Sequence, residues 1–389
     1  MSNGSPGLRL TGLHKAFGGL PAVRGIDLDI ATGEFFSLLG PSGCGKTTTL
    51  RMIAGFERPD QGSITLDGSD LVSVPPHRRP VNTVFQSYAL FPFLDVRRNV
   101  AFGLRYAKVG RTEGARRVDD ALALVRMSAF ADRRPGQLSG GQQQRIALAR
   151  ALVLDPTVLL LDEPLGALDA KLRKELQVEL RTVQRRLGIT FVYVTHDQEE
   201  ALTMSDRIAV LADGLVEQVG TPEQVYSEPA SAYVAGFLGS ANVVDVEVLS
   251  GATASADGVA VCRVGAHVLR AVTTENALGP GKVVIRPERV MLARPTDAAP
   301  AQCAALNGLV DHVVYTGPTT QVTVRLSDGQ TLLATLPNQA GPASGYSAGD
   351  AVVAFVAVDA CRLLPAGTRP ALPADQEAAL TDEEAALAD

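Results

Sequence analysis

The run GPSGCGKT, Gly40 to Thr47, concentrates residue types that handle phosphate. Glycines at Gly40, Gly43 and Gly45 let backbone N–H groups turn inward onto phosphate oxygens, and a helix opening at the end of the run adds the positive field of its N-terminus. Lys46 has the reach for the β- and γ-phosphates of a nucleotide, and the Thr47 hydroxyl is a ligand type suited to Mg²⁺. The spacing G-x-x-x-x-G-K-[ST] follows an apolar run and precedes a helical pattern, which is the context such a loop requires. Pro41, Ser42, Cys44 and Thr48 complete the candidate phosphate-binding loop.

Two further runs carry chemistry. In VLLLDEP, Val158 to Pro164, an apolar strand delivers Asp162 to a sheet edge, where a carboxylate can hold Mg²⁺ through water. Glu163, one residue on, can orient and deprotonate an attacking water. In LSGGQ, Leu138 to Gln142, Ser139, Gly140, Gly141 and Gln142 open a helix. Exposed N–H groups and a serine hydroxyl there form a second anion site. Taken singly, an acidic pair after a strand reads as a helix cap, and S-G-G before a helix is a common cap too. Their order along the chain, phosphate loop, then serine-capped helix, then acidic strand, is what gives them joint meaning.

The elements that must position these residues follow from the pattern of apolar runs. From Leu8 to about Gly239 short apolar runs alternate with helical patterns, as in a parallel sheet covered by helices. Strands are predicted at Glu34 to Leu39, Val81 to Phe85, Val158 to Leu161 and Phe191 to Thr195, the last two apolar on both faces as buried central strands are. Helices are predicted at Glu113 to Arg126 and Asp169 to Leu187. After Ser240 the helical period gives way to short β-like runs at Asp245 to Leu249, Val259 to Val264, Lys282 to Arg286, Gln321 to Leu326 and Ala351 to Val358. GKVVIRPERVML and GDAVVAFVAVDACRLL read as copies of one unit, each closing a β-rich half, which suggests two five-stranded barrel-like lobes. The expected domains are therefore 8–239, 240–366 and an acidic, Ala-rich tail at 367–389.

The ordered set of motifs resembles the ATP-binding cassette family, and the rest of that family's pattern is found in sequence order. Gln86 in VFQSYALFP matches the glutamine that senses Mg²⁺ and water and faces the membrane partner. GALD, Gly166 to Asp169, matches the loop that crosses the dimer interface, His196 in YVTHDQEEA the switch histidine at the γ-phosphate, and Phe17 in HKAFGG the aromatic that stacks on adenine. The resemblance implies an α/β P-loop NTPase cassette, a mixed sheet with covering helices and a helical subdomain, followed by a small all-β domain of paired OB-like lobes. It also implies ATP and Mg²⁺ as ligands and Glu163, His196 and Gln86 as catalytic residues. Thr47, Gln86 and Asp162 would hold the metal, and Phe17, Gly40 to Thr48, Ser139 to Gln142 and Asp169 the nucleotide. The implied assembly is a head-to-tail dimer with a second copy, two membrane-spanning permease subunits and, indirectly, an extracytoplasmic solute-binding protein, at the cytoplasmic face of the cell membrane. LGALDAKLRKEL, LGITFVYVTHDQEEALTMSDRIAVL, GTPEQVYSEP and NGLVDHVVYTGPTTQVTVRL are most similar to the ATPases of polyamine importers, with iron, phosphonate and sugar importers as the alternatives. Phe93 in FPFL departs from relatives that often carry histidine there.

Composition sets the outer limits. A content of 46% hydrophobic and 20% charged residues is that of a globular protein, and a net charge of −6 without a long basic run argues against nucleic acid as a partner. Cys44, Cys262, Cys303 and Cys361 form no CxxC pair, so neither zinc nor a disulfide framework is expected. No apolar run is long enough to span a bilayer, and the first residues, MSNGSPGLRL, lack the charged and apolar regions of a secretory signal. A soluble cassette ATPase of DNA repair or translation is the rival of another class. It is disfavoured because one cassette is present and no sustained heptads follow.

Overall fold

The computed structural model describes residues 7–166, 168–251, 258–273, 278–298, 300–338, 345–365, 367 and 369, so from residue 370 onward the expected acidic tail lies outside the described residues. Compactness divides the chain between Gln224 and Val225.

The first unit runs through β1 (Leu8–Phe17), β2 (Leu20–Ile30), β3 (Phe35–Leu39), α1 (Lys46–Ala54), β4 (Gln61–Leu66), β5 (Ser69–Asp70) and β6 (Val81–Val84). It continues with α2 (Val96–Ala101), α3 (Arg111–Leu124), α4 (Gly140–Leu152), β7 (Val158–Asp162), α5 (Ala170–Leu187), β8 (Thr190–Thr195), α6 (Gln198–Met204), β9 (Arg207–Ala212) and β10 (Leu215–Gly220). The main sheet has the order β10-β9-β3-β8-β7-β6. All its pairs are parallel except β10 with β9. Every residue of β3 and β8 is buried, as is β7 up to Leu161, because helices and a second sheet cover both faces. That second sheet, antiparallel in the order β2-β1-β4-β5, encloses one apolar core with α1 around Leu38, Ile53, Leu160 and Val194. The other face of the main sheet, with Phe35, Leu159, Phe191 and Tyr193, shares a core with α2 to α5.

Two devices fix α1, the helix after the phosphate loop. Gly55 takes a left-handed φ of 85° and returns its N–H to the carbonyls of Arg51 and Met52. The buried Arg79 guanidinium then donates to the carbonyls of Met52 and Ile53, 2.7 Å each, so the helix end is satisfied inside the protein.

The second unit begins within α7 (Pro222–Ser227) and continues through α8 (Ala232–Phe237). Helix α8 packs Ala232 and Ala235 on Val284 and Leu364, and its C-terminal carbonyls at Ala235 and Leu238 accept from Arg286. This explains why the compact unit starts earlier than the change of texture after Ser240. The strands β11 (Asn242–Ser250), β12 (Val259–Val264), β13 (His267–Val272), β14 (Gly279–Ile285), β15 (Val290–Ala293), β16 (Cys303–Tyr315), β17 (Thr319–Leu326), β18 (Thr331–Pro337), β19 (Ala351–Ala357) and β20 (Cys361–Leu363) follow. They form a closed barrel, β11-β12-β13-β20-β14, and a five-stranded sheet, β15-β19-β16-β17-β18, over one shared core.

The two repeated passages are both strand, 3₁₀ turn, strand, with turns at Pro287–Arg289 and Val358–Ala360. Each crosses between lobes rather than closing its own half. β14 belongs to the barrel and β15 to the sheet, whereas β19 belongs to the sheet and β20 to the barrel. The antiparallel pairs β15·β19 and β14·β20 lock the exchange. All four cysteines are free, and burial pushes the Cys262 and Cys361 thiols up to about 11 and about 12, which makes them inert.

Candidate functional site

The phosphate loop joins β3 to α1 and its backbone is closed on both sides by neighbouring carbonyls. A Cβ at Gly40 would meet the Leu211 carbonyl oxygen at 2.4 Å, and one at Gly45, where φ is 100°, would meet that of Ala22 at 2.5 Å. Only glycine fits at these two positions. Lys46 is buried, and its ammonium donates to the carbonyl oxygens of Gly40 and Pro41 at 2.5 and 2.9 Å, so it lies across the loop it must serve. Cys44 is buried too, and burial raises its thiol above the ordinary range. Ser42 and Gly43 are exposed at the mouth, with Pro41, Thr47 and Thr48 half-buried.

Strand β7 ends at Asp162, whose Oδ1 accepts from the Thr47 hydroxyl at 3.0 Å. Burial raises the Asp162 carboxyl, and the adjacent Glu163 charge adds to the rise. Glu163 follows with a φ of 43°, an uncommon backbone state for a glutamate, held by its N–H donating to the Val194 carbonyl at 3.1 Å. The turn aims its side chain away from Asp162's partner and toward β8. There Glu163 Oε2 lies 3.3 Å from His196 Nδ1 and 3.4 Å from Gln86 Nε2. The hydrogen bond from His196 holds the Glu163 carboxyl below its ordinary range against the effect of burial, and the same bond raises His196. Three residues separated widely in sequence thus meet at one carboxylate oxygen, beside the Thr47–Asp162 pair.

Ser139 caps α4. Its Oγ accepts from the Gln142 N–H at 3.4 Å while Gln142 Oε1 accepts from the Ser139 N–H at 3.0 Å, a reciprocal capping box. Its hydrogen bonds therefore stay within its own helix start, exposed to solvent. Gly140 and Gly141 let that start approach α5, since a Cβ at Gly141 would meet the Leu172 side chain at 2.9 Å. Asp169 caps α5 by accepting from the Leu172 N–H at 2.9 Å. Phe17 ends β1 at a two-glycine turn, Gly18 and Gly19 both having positive φ. Its ring is 45% exposed and the Lys15 ammonium stands 5.2 Å above it.

Four positioning residues were not singled out from sequence. Asn99 on α2 is fully buried. Its amide nitrogen donates to the carbonyls of Phe91, Leu94 and Asp95, and its oxygen accepts from the Phe91 N–H at 2.9 Å. It therefore shapes the loop after Gln86. Arg150, on the helix that Ser139 opens, donates to the carbonyls of Tyr88 and Ala89 in the same loop at 2.8 and 2.7 Å. Both of those residues take a positive φ. Glu200 is buried behind His196 and accepts from the Tyr193 and Thr195 hydroxyls, and Arg173 joins it. The available signal was a polar residue inside an apolar helical pattern, as in RRNVAF for Asn99.

Asn99→Ala is expected to strip partners from at least one buried backbone group, at about 1–3 kcal/mol. A thermal melt should show a fall of about 2–4 °C for each kcal/mol lost, for a unit of this size. An unchanged melting temperature would contradict the role given to Asn99.

The ABC transporter family model matches residues 23–166 and the TOBE domain model residues 283–364. Cassette and TOBE domain together define the ATPase subunit of an ABC transporter. The chain is 53% identical to the spermidine/putrescine import ATP-binding protein of Rubrobacter xylanophilus, over 84% of this chain and 85% of that one. It is 50% identical to the corresponding protein 1 of Pseudomonas aeruginosa, over 88% and 92%. A dimeric ATP-binding cassette solved in a post-hydrolysis state with ADP and Pi is 33% identical, with a TM-score of 0.50, covering 55% of this chain and 98% of that one. The chain belongs to the family of ABC import ATP-binding proteins, and its activity is ATP hydrolysis. Among the described residues no helix is long and apolar enough to cross a membrane.

Proposed function

We propose that this chain powers the import of a polyamine, putrescine or spermidine, as a pair of copies attached to two membrane-spanning permeases at the cytoplasmic face of the membrane. An extracytoplasmic binding protein delivers the solute. The observation that carries the catalytic part is the convergence of His196 and Gln86 on Glu163 Oε2, next to Thr47 and Asp162. The solute follows the relatives, whose names specify spermidine and putrescine. Residues 8–239 are the catalytic part and 240–366 the lobes that extend it.

In this reading the backbone of Gly40 to Thr48 and the Lys46 ammonium hold the triphosphate, with Lys46 exchanging the carbonyls of Gly40 and Pro41 for phosphate oxygens. Phe17 offers its exposed ring to the adenine. The donor set fits Mg²⁺: Thr47 Oγ1 and Asp162 Oδ1 are hard oxygens 3.0 Å apart, and burial and the adjacent Glu163 charge oppose ionisation of the half-buried Asp162 carboxyl, an effect a cation there would offset. The Gln86 amide spends its nitrogen on Glu163 and leaves its oxygen as a third donor. The ion, when bound, neutralises charge on the β- and γ-phosphates. Glu163 takes the proton of the attacking water at Oε1, the oxygen that Gln86 and His196 do not engage, and His196 orients that carboxylate and donates toward the γ-phosphate. Ser139 and the Gly140, Gly141 and Gln142 N–H groups of the partner subunit close over the phosphates from the other side, and Asp169 lies at that seam.

The permease contact is the loop after Gln86. Phe91 turns inward, its ring 4.4 Å from that of Phe102, while Phe93 is 70% exposed and Phe85 is also exposed. An apolar residue presented on a loop held by Asn99 and Arg150 suits the apolar face of a partner helix. Phe93→Asp is expected to abolish co-purification with the permeases and to leave ATP binding by the isolated chain unchanged. Retained co-purification would remove this loop from the interface.

The whole reading is tested by uptake of labelled putrescine and spermidine in a deletion strain without a redundant importer. Uptake is expected to vanish, to return with the wild-type gene and not to return with Lys46→Ala. Normal uptake in the deletion strain would overturn the solute assignment.

A further inference from the structure

Behind His196 lies a charged cluster that the proposed chemistry does not use. Arg173 stands in the first turn of α5, where a cation gains nothing from the helix dipole and is opposed by it. Its placement needs another reason, and its contacts supply one. Nη1 donates to Asp197 Oδ2 at 2.9 Å and Nη2 to the Leu168 carbonyl at 3.2 Å. Nε is buried, makes no hydrogen bond and lies 3.9 Å from Glu200 Oε1. One guanidinium fork therefore spans two loops: the segment that carries Leu168 and Asp169, and the turn that follows β8.

That turn holds His196, and both of its chain neighbours are pinned by the same network. Thr195 Oγ1 donates to Glu200 Oε2 at 2.7 Å and accepts from the Asp197 N–H at 3.0 Å. Asp197 Oδ1 caps α6 by accepting from the Glu200 N–H at 3.1 Å, leaving Oδ2 for Arg173. A cavity of about 10 Å³, room for about one water, is lined by Glu163 and His196 together with Arg173, Asp197 and Glu200. On this side the His196 turn meets the charged contacts of Arg173, Asp197 and Glu200.

We propose that Arg173 is a positioning residue for hydrolysis: it ties the Leu168–Asp169 segment to the His196 turn, so that His196 stands at Glu163 only while both contacts hold. The inference rests on the reading that Glu163 and His196 carry the chemistry. It deepens that reading, because the Leu168–Asp169 segment is the one that meets the second copy in the proposed dimer. A shift of that segment on pairing is passed by Arg173 to the histidine.

The test is steady-state and single-turnover ATPase of the full chain in its transporter. Arg173→Lys keeps the charge and stem but cannot bridge two acceptors in a fork. A displacement of the His196 turn by about 1 Å is expected to lower kcat by ~10²-fold, with KM for ATP little changed. Asp197→Asn, which preserves the cap on α6 and weakens only the Arg173 contact, is expected to give the same split and carries the test if Arg173→Lys does not fold. In a His196→Ala background, Arg173→Lys is expected to cause no further loss, because it acts through the histidine. Near wild-type kcat in both single variants, or losses that multiply in the double variant, would overturn the inference. Near wild-type turnover in His196→Ala alone would instead overturn the reading beneath it.

Discussion

Glu163→Gln is expected to stop ATP turnover while leaving ATP binding intact. The substitution keeps the shape of the side chain and its capacity to accept from Gln86 and His196 but removes the carboxylate. That carboxylate is held ionised by the His196 hydrogen bond, which outweighs the effect of burial. Loss of a general base typically lowers the rate by ~10²–10⁴-fold. Affinity should survive because the groups assigned to binding, Lys46 with its loop and the Thr47–Asp162 pair, make their contacts independently of Glu163. The check is kcat for ATP together with equilibrium binding of a fluorescent ATP analogue. A kcat near the wild-type value would remove Glu163 as the base. A lost affinity with kcat unchanged at saturation would move it from chemistry to binding.

Much of this site was legible before any coordinates. The runs FFSLL, VLLLD and TFVYVT, the last two apolar on both faces, point to a buried parallel sheet. A glycine-rich turn after the first and an acidic pair after the second then fall at the same sheet edge. The β-rich texture after Ser240 likewise indicated two five-stranded lobes. What the pattern did not carry was pairing. Alternation shows that Gly279–Ile285 and Val290–Ala293 are strands, but nothing in their own residues shows that the short turn at Pro287–Arg289 passes the chain to the other lobe. The same limit hid Asn99, Arg150 and Arg173. A polar or charged residue in a helical pattern reads as a solvated face; Asn99 and Arg150 instead serve backbone carbonyls, which carry no side-chain signature, and Arg173 pairs with Asp197, which only the fold brings to it. The positive φ of Glu163 was also invisible, because the Val194 carbonyl that fixes it belongs to another strand.

The second large effect concerns pairs of chains. Each copy presents two helix starts proposed to bind phosphate, at α1 after Gly45 and at α4 after Ser139. Within one copy the Ser139 Oγ accepts from the Gln142 N–H of its own cap, which leaves its O–H available to donate. It gains a phosphate partner only if a second copy docks across it. Lys46→Ala removes the ammonium of the loop, and Ser139→Arg fills the signature cap with a bulky cation. Each homodimer then has no intact composite site, and its ATPase rate should fall to background. A heterodimer of the two variants contains one intact site, built from the wild-type loop of the Ser139→Arg chain and the wild-type cap of the Lys46→Ala chain. Its recovery would be large against a null background, and it cannot arise if each site is complete within one chain.

The most direct measurement is therefore single-turnover ATP hydrolysis by defined heterodimers of Lys46→Ala and Ser139→Arg chains, assembled in the transporter and compared with both homodimers. The composite site predicts hydrolysis of about one ATP per heterodimer at a rate within about tenfold of the wild-type site, and none by either homodimer. A heterodimer as inactive as its parents, or a homodimer of Ser139→Arg that hydrolyses ATP at the wild-type rate, would contradict it.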